Sequence, residues 1–542
     1  MHSLYKKIWK YRILLILLLL TSSLMLANLG SRFLWGDEIE VAQLAKGILK
    51  VGYPTGNDGR NILHYNIREE IQLLIYGNNN PNYVWKWHPW LSHYVTAFSF
   101  LIFGVNTFTA RLPFAVLGIL STLLLYLLAR KIEKETSVAN ISILLLALYV
   151  PFYLYSRQCR YYALSIFLGL LTIYFYIKLI KGEKHSAIFF SIAGVLCFYT
   201  QYNLIATIYA STFLHALFFK RDRLKQLLIC FVIILLFAAP WIIYAGSYSK
   251  INAGLSEKIF GIFYLSSYIL FYAFPLIMIL ALPLIILYRK KGKIFVNDKY
   301  ALIGFFIFFS IVTELFIPYG YPSLRHVTFI FPFAMLLLAA IVIKIKKYNA
   351  ILAAIVLIII IFTNWLNVIP FKFGESWALS KFEPGSEKYL FIEDNLKIRY
   401  FFFDYLEEIT HYYSTPGEKI VTYVNAHSVA NETFFSTEPE LLIFYTNLSE
   451  YRLGSDKSPD WVIPREPYYL WGDKKENEEA YNLIMSFIND KYERIVINST
   501  DYIYPLDSPE PRVHRFIEDK EMKTSNIYPY ETYPITIYHL RK

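Results

Sequence analysis

The first two thirds of this 542-residue chain consist largely of apolar runs that are long enough, or nearly so, to cross a bilayer. Only helices and closed barrels satisfy their backbone polar groups inside lipid. Runs near 20 residues match the ~30 Å hydrocarbon core and predict a polytopic α-helical membrane protein with about 11 transmembrane helices. The predicted spans are 12–30, 110–130, 138–156, 160–180, 185–201, 203–219, 224–244, 262–288, 299–317, 326–346 and 349–368.

The composition supports a membrane protein. Hydrophobic residues make up 56% of the chain and charged residues 18%, against about 25% charged residues in soluble proteins. This excludes a disordered chain and an ordinary soluble enzyme. Cys159, Cys197 and Cys230 lie in or beside apolar runs without metal-ligand spacing. They therefore predict neither a disulfide framework nor a zinc site.

The net charge of +11 is unevenly distributed along the chain. Residues 370–542 contain 19 basic and 29 acidic residues, so the positive charge belongs to residues 1–369, in clusters that follow every second span. Such clusters face the cytoplasm. We therefore expect no nucleic-acid binding, and we predict a multi-pass inner or plasma membrane protein with a cytoplasmic N-terminus and an external loop 31–109.

Segment 88–104 is apolar enough to be a further crossing. Counting it would move every later basic cluster to the outside, against the charge rule. We therefore predict that this segment enters the interface and returns, with Trp85, Trp87 and Trp90 at the level of the lipid headgroups.

The acidic tail is long enough for one folded domain. We expect two units, a membrane domain at 1–369 and a soluble extracytoplasmic α/β domain at 370–542. No glycine-rich phosphate loop begins a predicted tail helix, so nucleotide binding has no support. The predicted tail helices are 400–412, 437–446 and 476–490, and the predicted strands are 419–425, 460–464, 493–498 and 533–540.

Two adjacent carboxylates, Asp37 and Glu38, lie shortly after the first span. One interpretation is structural, because Asp37 is placed to cap helix 39–50 and acidic side chains favour that end. The other is a general base held at the membrane surface. The pair alone does not decide between them.

Four arginines, Arg111, Arg157, Arg160 and Arg325, lie at predicted external span ends, where the other basic residues are mostly absent. Arginine near hydrocarbon snorkels, pairs with an acid or lines a cavity. Pairing with Asp37, Glu38 or Glu314 is one interpretation. Their convergence also predicts a site for an anionic lipid headgroup.

The order of these motifs over residues 1–370 resembles the GT-C membrane glycosyltransferases, in particular the branch with the protein O-mannosyltransferases and the lipid A aminoarabinose transferase. The order and spacing carry the resemblance, since no single motif is specific. The motifs are Asp37-Glu38, His88-Pro89, Arg111-Leu112-Pro113, the Arg157–Leu164 segment with its Arg160-Tyr161-Tyr162, and Arg325-His326 with Pro332 downstream.

The resemblance implies a GT-C fold and an enzyme. Such enzymes transfer a sugar from a polyprenyl-monophosphate donor to a hydroxyl of an envelope acceptor, with inversion, on the non-cytoplasmic face. A phosphate leaving group needs little acid help, so one carboxylate base and a cationic cradle suffice. The acceptor is a protein, lipid A or a glycan, and neither it nor the sugar is readable from the sequence.

The resemblance also implies roles for residues. Asp37 is the expected catalytic base, with Glu38 assisting it. Arg325 is the first expected ligand of the donor phosphate, followed by Arg160, Arg111 and Arg157. His88, Tyr161 and His326 are expected substrate contacts, although Tyr is common in the family where His326 stands. We expect no metal cofactor, although related oligosaccharyltransferases use a divalent cation.

Three other classes of protein stay open, one of which is a noncatalytic envelope or receptor protein. A lipid-linked oligosaccharide ligase or polymerase usually has a large external loop between late spans, whereas the late external loops here, 245–261 and 318–325, are short. A membrane transporter commonly shows internal repeats and broken helices near the midplane. We find no internal repeat, and the candidate charges lie at the external ends of spans.

Overall fold

The computed structural model describes residues 2–246 except 67, 68, 79 and 134, and residues 298–314, 324–361, 405–406, 409–410, 416–464, 474–500 and 532–541. The predicted span 262–288 and most of the predicted helix 400–412 lie outside these residues. The helices up to residue 361 are α1 (His2–Leu26), α2 (Gly36–Val51), α3 (Glu69–Tyr76), α4 (Leu91–Phe103), α5 (Thr107–Ile132), α6 (Thr136–Ala147), α7 (Val150–Ser156), α8 (Tyr162–Ile180), α9 (Ser186–Phe198), α10 (Tyr202–Phe219), α11 (Arg221–Ala245), α12 (Asp298–Thr313), α13 (Phe331–Lys346) and α14 (Ala350–Ile360).

Apolar helices coincide with the predicted spans. Within the described residues, five helices are long and apolar enough to cross a membrane, or six if α6 and α7, which meet at 67°, form one broken span. Every predicted span other than 262–288 overlaps one of the helices, including the short α9 and α10. The prediction of a polytopic helical membrane protein is confirmed.

The apolar segment 88–104 forms α4, a helix of 13 residues. At 1.5 Å per residue it is about 20 Å long, which is short for a bilayer crossing. Trp85, predicted to lie at the level of the lipid headgroups, makes its contacts inside the protein. It is fully buried and packs edge-on against Tyr76 within the loop between α1 and α5.

The basic clusters that the structure describes lie at one end of the helix bundle. Glu183 binds both Lys131 and Lys178, at 2.9 and 3.2 Å, and Asp298 binds Lys220 at 3.1 Å. These contacts join the end of α5 to the end of α8, and the end of α10 to the start of α12. Along α5, the first turns lie about 30 Å from the last, at 1.5 Å per residue.

The C-terminal unit is a mixed sheet with helices on both faces. Its strand order is β2-β1-β3-β5-β4, with β1 parallel to β2 and β3, and β5 antiparallel to β3 and β4. The elements are α15 (Pro416–His427), β1 (Thr433–Ser436), α16 (Pro439–Tyr445), β2 (Ser449–Glu450), β3 (Trp461–Ile463), α17 (Lys474–Met485), β4 (Tyr492–Thr500) and β5 (Thr532–Leu540).

The predicted α/β class of this unit is confirmed, but the predicted strand 419–425 is wrong. Those residues belong to α15, because Ile420, Val421 and Val424 follow helical spacing and bury one face against the sheet. Strands β1 and β2 were not predicted.

The C-terminal unit packs on the start of the loop after α1. The Phe33 ring stacks on the Tyr445 ring with centroids 3.8 Å apart. The Phe33 amide donates to Glu418 Oε1 at 2.8 Å, and the Leu34 amide donates to the Tyr445 hydroxyl oxygen at 2.8 Å. The chain entering α2 is therefore fixed by residues from the other end of the sequence.

Candidate active site

The site is built on the first turn of α2. Trp35 precedes the helix in an extended conformation, and Asp37 and Glu38 occupy the first turn, where carboxylates are favoured by the helix dipole. Successive helical residues point in different directions. Asp37 is 32% exposed, whereas the Glu38 side chain is 0% exposed.

Glu38 is fully engaged inside the protein. Arg111 binds it in a bidentate pair, with Nε 2.9 Å from Oε1 and Nη2 2.6 Å from Oε2. The Cys159 amide donates to Oε1 at 2.7 Å. Arg111 also donates to the carbonyl oxygens of Leu29, Arg32 and Phe33. This arrangement ties α5, the 157–161 loop and the end of α1 together.

Asp37 faces two of the predicted arginines. Its Oδ2 lies 3.1 Å from Arg160 Nη2 and 3.6 Å from Arg325 Nη1. Arg160 is 6% exposed, and its Nη1 also donates to the Asp37 carbonyl oxygen and to Glu40 Oε1, each at 3.1 Å. Arg325 is 43% exposed. The arrangement therefore presents a carboxylate and an accessible guanidinium group side by side.

Two predicted substrate contacts lie beside this pair. The Arg160 guanidinium is 5.6 Å from the centroid of the Tyr161 ring, and the Tyr161 ring is 6.4 Å from the His88 ring. Aromatic and imidazole faces thus extend the site from Arg160 toward the segment before α4.

Arg325 and His326 form a short 3-10 turn before α13. His326 Nδ1 lies 3.1 Å from Glu314 Oε2, and its carbonyl oxygen accepts from Gln201 Nε2 at 2.6 Å. The His326 imidazole is therefore directed at Glu314, whereas the neighbouring Arg325 is directed at Asp37. These contacts fix the turn that carries Arg325.

Arg157 lies apart from this group of side chains. Its Nη1 donates to the carbonyl oxygens of Leu24 and Met25 and to the Tyr405 hydroxyl. These contacts hold the end of α1. The sequence thus identified Asp37, Arg160 and Arg325 as neighbours, while Arg111 and Arg157 bind other partners.

Three further residues adjoin the site and were not predicted. Glu40, which contacts Arg160, also lies 3.5 Å from His64 Nε2, and His64 Nδ1 lies 3.2 Å from Glu440 Oε1 on α16. Glu40 follows Asp37 by three residues in α2, which places both on one face of this helix. That spacing could have suggested Glu40. No local signal joins His64 to Glu440.

The arrangement suits a reaction in which the Asp37 carboxylate takes up a proton while negative charge develops beside the Arg325 guanidinium group. Among the described residues, no group of three or more His, Cys, Asp or Glu side chains is placed to hold a metal ion.

Part of the chain matches a known family. Residues 87–244 match the family model described as dolichyl-phosphate-mannose-protein mannosyltransferase. This segment contains His88, Arg111, Arg160 and Tyr161, but it does not reach Asp37 or Arg325. No curated protein sequence matches the chain at a significant level.

The fold is similar to solved membrane protein structures. The apo crystal structure of ArnT from Cupriavidus metallidurans aligns with a TM-score of 0.53 and 12% identity, over 84% of this chain and 87% of that one. The structure of ArnT bound to undecaprenyl phosphate aligns with a TM-score of 0.51 and 11% identity, over 90% and 93%. Archaeal AglB from Archaeoglobus fulgidus, an oligosaccharyltransferase in complex with an inhibitory peptide and a dolichol-phosphate, aligns with a TM-score of 0.47 and 12% identity, over 90% and 69%.

The family match and the two ArnT alignments confirm the resemblance to the GT-C membrane glycosyltransferases. The chain has the GT-C fold with a C-terminal α/β unit, and the similarity to ArnT extends over both parts.

Proposed function

We propose that the protein is an inverting glycosyltransferase that uses a polyprenyl-monophosphate sugar. It transfers the sugar to a hydroxyl of an envelope acceptor, which is a protein, lipid A or a glycan. The reaction takes place on the non-cytoplasmic face of the inner or plasma membrane, with the N-terminus in the cytoplasm.

The observation that carries this proposal is the position of the partly exposed Asp37 carboxylate between Arg160 and the more exposed Arg325. A hydroxyl nucleophile needs a base, and a departing lipid phosphate needs cationic donors. The family match and the ArnT fold support a sugar-transfer reaction. The ArnT structure with undecaprenyl phosphate supports a lipid monophosphate as the donor's carrier.

In the proposed reaction, the acceptor hydroxyl loses its proton to the Asp37 carboxylate as its oxygen attacks the anomeric carbon. The bond from that carbon to the phosphate oxygen breaks, and the lipid phosphate leaves with the electron pair. Arg325 binds the departing phosphate, and Arg160 orients Asp37 while adding positive charge. The arginines supply this charge, so the proposal includes no metal cofactor.

The other expected residues receive separate roles in this proposal. His88 and Tyr161 contact the bound substrate beside Arg160. Glu38 and Arg111 form the scaffold that holds the base, and Arg157 fixes α1. This differs from the sequence expectation, because the guanidinium groups of Arg111 and Arg157 already bind protein oxygens. His326 supports Arg325 through its own turn.

The test compares cells that carry the wild type, Asp37→Asn and the control Asp456→Asn at matched abundance. Asp456 is an exposed acid of the C-terminal unit. We expect Asp37→Asn to lower transfer by about 10²–10⁴-fold, the usual effect of losing a general base. Mass spectrometry of envelope glycans, glycolipids and proteins measures the sugar that each species carries.

Loss of one monosaccharide from one species in Asp37→Asn alone supports the proposal and identifies both sugar and acceptor. A change in polymer length or attachment instead favours a ligase or polymerase. Full modification in Asp37→Asn contradicts the assignment of the base. Identical envelopes with and without the protein favour a transporter.

A further inference from the structure

Side chains of alternating charge form a continuous series from the accessible arginine of the site to the C-terminal unit. Each neighbouring pair lies within 3.6 Å. In order, the series is Arg325, Asp37, Arg160, Glu40, His64 and Glu440.

An unperturbed histidine titrates near physiological pH, so the charge of His64 depends on the groups around it. Burial by itself lowers the pKa of His64, but the hydrogen bonds and negative charges of Glu40 and Glu440 outweigh burial and raise this pKa from 6.5 to about 10. The imidazolium therefore persists at neutral pH. It lies between two carboxylates that would otherwise face each other across the interface.

The His64 backbone has an unfavourable conformation. His64 has a φ of +60°, in the left-handed region that a residue with a side chain rarely adopts. The neighbouring loop is fixed to the C-terminal unit. Asn61 Nδ2 donates to the Leu448 carbonyl at 3.1 Å, and Asn66 Nδ2 donates to the Tyr451 carbonyl at 2.7 Å. Local strain is retained where surrounding contacts enforce it, commonly at functional sites.

We infer that His64 is a positioning residue, through which the docked C-terminal unit sets the orientation of Arg160 and Asp37. The His64 imidazolium holds Glu40, Glu40 holds Arg160 Nη1, and Arg160 Nη2 orients the Asp37 carboxylate. This inference rests on the proposed function for the role of Asp37. The C-terminal unit then completes the catalytic arrangement by supplying Glu440.

The charged groups around His64 are Glu40 of α2, Glu440 of α16 and, farther away, Glu450 of β2. Burial raises the pKa of Glu450 to about 7. Glu450 therefore titrates at lower pH than His64. A comparison of wild type with a His64 variant separates the two, because Glu450 is present in both.

The kinetic test uses His64→Gln, His64→Lys and the control His427→Gln, which replaces an exposed histidine of α15. The probe donor is undecaprenyl-phosphate mannose, extracted envelope supplies the acceptor hydroxyls that take the mannose, and the readout is the released undecaprenyl phosphate. We expect His64→Gln to lower kcat about tenfold near pH 7 with little change in KM, because a ~1.4 kcal/mol loss of transition-state stabilisation corresponds to a factor of ten. His64→Lys, which keeps a positive charge, restores most of this rate.

The pH profile distinguishes this role from simple loss of stability. Wild-type kcat is expected to fall as the pH rises through about 10, where His64 loses its proton. The kcat of the His64→Gln variant does not show this fall and stays low over the whole pH range. Equal kcat in wild type and His64→Gln, or a failure of His64→Lys to restore it, would overturn the inference.

A second measurement needs no turnover and separates this inference from the proposed function. The rate of amide hydrogen exchange is measured in the first turn of α2 and in the 157–161 loop, with the purified protein in detergent. The stabilisation by the His64 charge is complete below pH 6.5 and is lost as the pH rises to about 10. We expect about tenfold faster exchange in His64→Gln near pH 7, again equivalent to ~1.4 kcal/mol, and wild-type rates in His64→Lys.

Unchanged exchange in His64→Gln overturns the inference even where the wild type does not use the probe donor. Faster exchange without any turnover of the probe supports the positioning contact. In that case the proposed donor would be wrong, and the positioning role of His64 would stand.

Discussion

Asp37 and Glu38 are neighbours in the sequence, yet the helix turns their carboxylates into different environments. Asp37 reaches a partly exposed site between two arginines, while Glu38 is buried against Arg111 and two backbone amides. A buried carboxylate whose oxygens are already bound holds structure more readily than it takes up a substrate proton. At the residue scale, burial therefore decides which carboxylate can act as the base.

We expect Glu38→Gln to destabilise the protein by about 3–5 kcal/mol, because it breaks the ion pair of a fully buried carboxylate and leaves the partly buried Arg111 guanidinium without a compensating charge. Thermal unfolding of the purified protein in detergent measures this loss. The control Glu493→Gln removes an exposed carboxylate from β4 and should leave the unfolding temperature unchanged. A Glu38→Gln protein of normal stability but without activity would instead place Glu38 in the chemistry.

The sequence indicated the acid pair and the converging arginines, because each lies at a predicted external span end and the motif order resembles a family. It could not indicate the His64–Glu440 contact. These two residues are far apart in the chain, and neither lies in a motif. Their meeting depends on how the C-terminal unit packs on the loop, through contacts such as the Phe33–Tyr445 stack.

At the scale of elements, hydrophobic length predicted the membrane helices well, because only helices satisfy the backbone within lipid. The soluble unit was harder. Val421, Thr422 and Tyr423 have strand-favouring side chains, but packing of Ile420 and Val424 on the sheet makes this segment a helix. Tertiary packing overrode the local preference there.

The break between α9 and α10 has a positional role. Gln201, at the start of α10, accepts from Ser165 Oγ at 2.9 Å and donates to the His326 carbonyl at 2.6 Å. It thereby links α8 and α10 to the turn that carries Arg325. The two short helices provide this buried amide at the level of the site.

We expect Gln201→Leu to weaken binding of undecaprenyl phosphate about tenfold, because losing the hydrogen bond to the His326 carbonyl costs about 1–1.5 kcal/mol and loosens the Arg325 turn. Titration of the purified protein with the lipid measures this. Thr200→Val is the matched control, since the buried Thr200 hydroxyl donates to the carbonyl oxygen of Leu196 in α9 and not to the turn. Equal loss of binding in both variants would contradict the specific role of Gln201.

At the scale of the whole molecule, the two ends of the helix bundle differ in chemistry. The basic clusters that the structure describes lie at one end, where Lys131 binds Glu183 and Lys220 binds Asp298. At the other end, Arg111 in the first turns of α5 binds Glu38 beside the candidate site. Clusters of Lys and Arg remain in the cytoplasm. The site and the C-terminal unit are then expected on the opposite face.

Cysteine labelling tests this orientation. Cys159, Cys197 and Cys230 are buried, which keeps the native background low. Asp222→Cys places a thiol at a position that is 71% exposed at the basic end, and Asp456→Cys places one on the exposed surface of the C-terminal unit. With a membrane-impermeant maleimide, we expect intact cells to label Asp456→Cys at once. Asp222→Cys should label only after permeabilisation, because the predicted orientation places its thiol on the cytoplasmic side.

The reverse pattern would place the site on the cytoplasmic face, where an envelope acceptor is absent, and would contradict the proposed acceptor as well as the orientation. Labelling of both thiols in intact cells would show that the charge clusters do not govern insertion. The labelling therefore tests whether the distribution of charge along the chain determines on which side of the membrane Asp37 lies.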